Sequence, residues 1–195
     1  MASLCQGLRL KPVTPLKRKQ DCLALLQTCK VFHFAGHGQL NMSEPSRSCL
    51  LLEDWEHDPL TMAYLRDSRL QESAPFLAYL SACSTGTSLE ASLLDECIHL
   101  VSGFQLGGFR HVIGTLREVS DSHCVDVAAI FYKTICEEGM NDMAVCHGLH
   151  RAILALRNGY LEEHTKLRDA EYVGDEVQLQ GESPMYWAPY IHFGV

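Results

Sequence analysis

Two residues in this sequence have the types and settings to do covalent chemistry. His37 lies in "KVFHFAGHGQLN", which begins at Lys30, and Cys83 lies in "PFLAYLSACSTGTS", which begins at Pro75. Each ends an apolar run and enters a stretch rich in glycine, serine or threonine. An ordinary thiol has a pKa near 8.5, so only a few per cent is the nucleophilic thiolate at neutral pH. A histidine within reach removes that limit, taking the thiol proton as general base and later giving one to a leaving amine. Glycine on both sides of His37 lets backbone come close to a substrate. The N–H groups of Gly38 and Cys83 are candidates for an oxyanion hole.

For this to work, the chain must bring two distant segments together. "KVFHFA" and "PFLAYLSA" read as strands, as does "RHVIGTL" further on, and "SCLLLED" around Ser48 to Asp54 reads as a hairpin strand. Helical patterns lie near Lys17 to Cys29, after Thr61 as N-cap, across "SLEASLLDECIHLVSGFQLGG", and near Asp121 to Glu138 and Asp142 to Asn158. A polar loop and a last apolar segment, "MYWAPYIHFG", follow. Near-continuous apolar strands alternating with helices predict an α/β fold with a mainly parallel sheet. Ligands in such sheets sit beyond the carboxyl ends of the strands. Both His37 and Cys83 fall there, and they converge if their strands are neighbours.

Other site chemistries fit poorly. His33 and His37 on one strand are about 13 Å apart at about 3.3 Å per residue, too far to chelate one ion easily. His147 and His150 are helical neighbours without an evident third ligand, so no metal is expected. "FAGHGQ" lacks the Gly-Lys-Ser/Thr of a phosphate loop, and no G-x-S-x-G elbow occurs. A cysteine phosphatase would need an arginine where Leu89 stands. No cofactor is implied.

The 195 residues are 47% hydrophobic, enough for one cored domain, with a net charge of −8. That charge argues against nucleic acid or anionic membrane as partner, and no apolar run approaches the length of a membrane span. "MASLCQGLRLK" is too short and polar for a signal peptide, so a cytoplasmic setting is expected. Nine cysteines without any C-x-x-C pair are expected to be reduced thiols. Cys97, Cys136 and Cys146 fall at core-facing positions of helical patterns, where cysteine acts as a small hydrophobe.

Five ordered motifs, "VFHFAGHG", "LAYLSACSTG", "DECIHLVSGFQLGGFRHVIGTL", "GLHRAILALR" and "YWAPYIHFG", resemble those of CHAT domains, most closely of the fungal kind. CHAT domains are caspase-like cysteine peptidases related to separase. The resemblance runs from about Lys30 to the C-terminus and implies a caspase-like three-layer α/β/α sandwich. Residues 30–195 then form the peptidase domain, and residues 1–29 are an N-terminal helical segment, a remnant of the fold's first units. Carried over by position, the catalytic histidine falls on His37, the nucleophile on Cys83, and the oxyanion amides on Gly38 and Cys83. Where relatives show "TLW-x-V-x-D", this chain reads "TLREVSD", with Arg117 in place of tryptophan. The acidic residue that helps separase-like relatives bind a basic side chain before the cut corresponds to Asp121. Glu118 is a second acid in that segment, while Arg117 would oppose a basic substrate residue or favour an acidic one.

The resemblance also implies a regulated module of a larger protein carrying tetratricopeptide or NTPase units, acting on a protein or peptide substrate. Two readings from different classes follow: a cysteine endopeptidase working through a thioester, and a catalytically silent interaction module. A small-molecule amidase ranks third. Mobile loops around "NMSEPSRS" and "EEHTKLRDAEYVGDEVQLQGESP" would gate the site and keep basal activity low.

Overall fold

The computed structural model describes residues 7–8, 10–41, 43–84, 92–116, 119–171 and 189–194, with the side chains of 82–84, 92–99 and 160–171 outside that description. The chain divides into two compact units. The first comprises residues 1–118 and 190–195, and the second comprises residues 119–189.

The first unit is built on a six-stranded sheet. In chain order the strands are β1 (Val31–Gln39), β2 (Cys49–Leu50), β3 (Leu60–Thr61), β4 (Leu77–Ser84), β5 (His111–Thr115) and β6 (Tyr190–Gly194). Their spatial order is β3-β2-β1-β4-β5-β6. The centre is parallel, β1 with β4 and β4 with β5, as the apolar strands predict. The margins are antiparallel. "SCLLLED" contributes only the two residues of β2, and "YIHFG" at the end of the last apolar segment forms the edge strand β6.

Strand alternation gives the sheet two different faces. Phe32, Phe34, Ala78, Leu80, Val112, Ile191 and Phe193 point into one hydrophobic core. That core is completed by α1 (Lys19–Leu26), α2 (Met62–Asp67) and α3 (Ser92–Gly107), through Cys22, Leu23, Leu26, Met62, Leu65, Leu100, Val101 and Phe104. The Phe32 and Phe104 rings stack with centroids 5.5 Å apart. α3 lies close to the strands because glycine faces it. A Cβ on Gly38 would come within 2.8 Å of Leu100 Cδ1, and one on Gly114 within 2.5 Å of Val101 Cγ2.

The ends of the short helices are held locally and at long range. Thr61 Oγ1 accepts a hydrogen bond from the Tyr64 N–H at 3.2 Å, the cap its sequence position predicts. α1 has no such neighbour, and the Asp54 carboxylate accepts from the Lys19 N–H instead, at 3.1 and 3.2 Å. The Lys19 ammonium pairs with Asp58 at 2.6 Å and lies 4.0 Å from the Tyr64 ring centroid. A buried lysine is thereby matched to a carboxylate and a π-face.

The second unit is a helical pair, α4 (Asp121–Glu138) and α5 (Asp142–Glu171). α5 runs 13 residues beyond the Asn158 end that periodicity predicts. The stretch "LEEHTKLRDAE" lacks a clear apolar period and so reads as a loop. It is nevertheless rich in strong helix formers, free of proline, and extends a helix already nucleated. The N-cap of α4 is Ser120, and Asp121 is the first helical residue.

No disulfide joins the described cysteines Cys22, Cys29, Cys49, Cys124, Cys136 and Cys146. Cys146 is exposed, contrary to the core-facing expectation, and Cys136 is half-buried. The face that Cys146 occupies is not the apolar stripe of Ala144, Val145, Leu149, Ala152 and Leu156. Cys97 lies where side chains are outside the described set. Among the described residues no helix is long and apolar enough to cross a membrane.

Candidate active site

The strands that carry His37 and Cys83 are nearest neighbours. β1 and β4 pair in parallel over eight positions, from Val31↔Leu77 through His33↔Tyr79 and Ala35↔Ser81 to His37↔Cys83 and Gly38↔Ser84. Residues opposite each other in register share a face of the pleat, about 4.8 Å apart across the ladder. His37 and Cys83 therefore occupy one face, the face opposite the core of α1, α2 and α3. They lie inside the ladder, near the carboxyl ends of the strands, rather than in turns beyond them.

The physical reason is that the pairing continues without a bulge to Gly38 and Ser84. The glycines are part of the strand. Gly38 is buried because Leu100 covers it.

Burial changes along this face. β1 and β4 are the two central strands of six, where both faces of a parallel sheet are ordinarily covered. Tyr79 is 1% exposed and His33 is half-buried. Their rings stack with centroids 5.0 Å apart and planes 4° from parallel. Burial holds the His33 imidazole well below its ordinary range, at about 4, so it is neutral at physiological pH. Two residues further along, Ala35 is exposed, and two further again His37 is exposed too. On β1 this face is thus exposed at Ala35 and His37, next to a closed imidazole–phenol floor.

Sequence reading passed over that floor. His33 and Tyr79 each stand four residues before the reactive position on the same strand, and a period of two puts them on the same face. That spacing was the available signal.

Arg117 and Glu118 lie outside the described residues. Asp121 belongs to the second unit, at the first position of α4, and its residue is exposed. His147, weighed as a metal ligand, pairs through Nδ1 with Glu138 Oε2 at 3.0 Å. Among the described residues no group of three or more His, Cys, Asp or Glu is arranged to hold a metal ion.

A mixed six-stranded sheet with a parallel centre and flanking helices, bearing a histidine and a cysteine in register at its middle, defines a caspase-like α/β protein. The family model of the CHAT domain matches residues 10–195, and the chain belongs to that family. CHAT domains fall within the caspase-like clan of cysteine peptidases. The match begins at residue 10, ahead of "VFHFAGHG", and so takes in α1, whose Cys22, Leu23 and Leu26 are part of the core. No curated protein matches the sequence.

Proposed function

We propose that this chain is a cysteine endopeptidase in which His37 and Cys83 act as a dyad. The observation that carries the reading is the pairing His37↔Cys83 in the register of the two central strands. Positions opposite each other on neighbouring strands bring the two residues of the proposed dyad to one part of the sheet.

In the proposed reaction His37 takes the Cys83 proton, and the thiolate attacks the scissile carbonyl carbon. The tetrahedral intermediate collapses to a thioester as His37 protonates the leaving amine. Water, deprotonated by the same imidazole, attacks the thioester and releases the acid product and the free thiol. Backbone N–H groups of Gly38 and Cys83 are assigned to the oxyanion. The neutral His33 beneath takes no proton in this cycle, since burial keeps it uncharged above about pH 4.

The substrate is a protein, with Asp121, Glu118 and Arg117 assigned to its recognition. The chain acts as a regulated module beside tetratricopeptide or NTPase units, in the cytoplasm. Hydrolysis of a peptide library by wild type, Cys83→Ala, His37→Ala and the double variant tests the core of the reading. Each single variant is expected to lose nearly all turnover, with no further loss in the double, because the two groups act as a unit. Turnover by Cys83→Ala close to that of wild type would end it.

A further inference from the structure

We infer that this structure is the closed form of the site, in which both backbone N–H groups assigned to the oxyanion hole are held by the β1–β4 ladder. The inference rests on the peptidase reading for its consequence, while its geometry stands on the register alone.

Within a strand the N–H and C=O of one residue point to the same side, and consecutive residues alternate sides. The Leu51 N–H donates to the His37 carbonyl at 2.9 Å, so residue 37 faces β2. Gly36 and Gly38 therefore face β4. On the other strand the Leu77 N–H donates to the Lys30 carbonyl at 3.0 Å, so residue 77 faces β1. Tyr79, Ser81 and Cys83 face β1 with it.

The Leu77-to-Lys30 bond also fixes the pattern, since a parallel ladder repeats it every second residue. Six residues along, it becomes Cys83 N–H to the Gly36 carbonyl. The ladder's next rung is Gly38 N–H to the Cys83 carbonyl. Pairing at His37↔Cys83 and at Gly38↔Ser84 is that same arrangement. An oxyanion forming on a substrate carbonyl at residue 83 thus meets two donors already bonded, and the Cys83 carbonyl oxygen lies on the Gly38 N–H.

Opening the site requires the β1–β4 pairing to end one or two rungs earlier, near Ala35↔Ser81. No covalent change is needed, only rotation of the peptides at the end of β4. Among the described residues the β4–β5 pairing runs from Leu77↔His111 to Tyr79↔Ile113, while residues 81–84 pair with β1. Removing a single oxyanion donor ordinarily costs about 10²–10³ in turnover, so a closed rung holds activity down by at least that much.

Two measurements on the unmodified chain test this. Amide hydrogen exchange reads the rung directly: the Gly38 N–H is expected to exchange about 10²-fold or more slowly than in the unfolded chain. Exchange at the unfolded rate would overturn the inference.

The second measurement compares two reagents at Cys83, with exposed Cys146 as the internal reference. Iodoacetamide forms an S–C bond and expels iodide without passing through an oxyanion. p-Nitrophenyl acetate is attacked at its carbonyl, passes through an oxyanion, and expels p-nitrophenolate. In the closed form the ratio of acylation to alkylation rates at Cys83 matches that at Cys146 within a few-fold. A ratio at Cys83 about 10²-fold higher would mean a formed hole and refute the closed rung.

If Gly38 is protected but alkylation of Cys83 is indifferent to His37→Ala, the dyad falls and the closed rung stands. If Gly38 exchanges freely and His37→Ala slows alkylation, the dyad stands and the closed rung falls.

Discussion

Acid should unfold this protein by way of His33, and the size of the effect follows from its surroundings. The imidazole is stacked on buried Tyr79, and burial pulls its pKa from about 6.5 down to about 4. The folded chain therefore refuses a proton that the unfolded chain accepts between those values, so stability falls as the pH drops from about 6.5 towards about 4 and levels off below. At about 1.4 kcal/mol per tenfold change, the gap corresponds to about 3 kcal/mol lost across that window. Urea unfolding of wild type and His33→Phe, at pH values from 7.5 to 3.5, reads the contribution. Phenylalanine keeps a flat ring against Tyr79 but cannot titrate, so the variant should lose about 3 kcal/mol less than wild type over the same range, whatever its stability at neutral pH. Equal losses in the two proteins would refute the claim that desolvation holds His33 neutral. His192, also lowered by burial and by neighbouring His111, adds a slope of the same sign that both proteins share.

Three further outcomes follow from the same structure. Thr61→Ala should cost about 1 kcal/mol in urea unfolding through loss of the α2 cap, and a neutral result would show that Tyr64 N–H finds water equally well. Gly108→Ala should cost more than about 2 kcal/mol, because φ is +117° there and a Cβ would run into the backbone of Gln71; a cost under about 0.5 kcal/mol would contradict that geometry. In a peptide library varied at the residue before the cut, cleavage after arginine or lysine should fall at least about tenfold in Asp121→Asn if that carboxylate receives the basic side chain, and an unchanged preference would remove Asp121 from recognition.

How much of this was legible in the sequence depended on the range of the interaction. The central strands announced themselves as continuous apolar runs, and the candidate histidine and cysteine stood out near the ends of two of them. That β1 and β4 are neighbours, and that their register sets residue 37 against residue 83, is a long-range fact that no local period carries. The same holds for Asp54 at the start of α1, 35 residues from the Lys19 N–H it accepts from. β6 read only as an apolar segment because an edge strand closing a mixed sheet has no signature of its own. "LEEHTKLRDAE" misled for the opposite reason, since its helix rests on residue propensity and chain continuity rather than on an apolar stripe. Placing His37 and Cys83 beyond the carboxyl ends of the strands was an overreading of glycine: at Gly38 the missing side chain serves the approach of Leu100 within the strand.

The central claim is that His37 activates Cys83, and an irreversible thiol-directed peptidyl inhibitor tests it most directly. Mass mapping of all nine cysteines after brief labelling at neutral pH, in wild type and in His37→Ala, gives the answer in one experiment. The account predicts label on Cys83 well ahead of exposed Cys146, with that preference lost in His37→Ala. Label distributed by exposure alone, with Cys83 no faster than Cys146 and no response to the histidine, would contradict it.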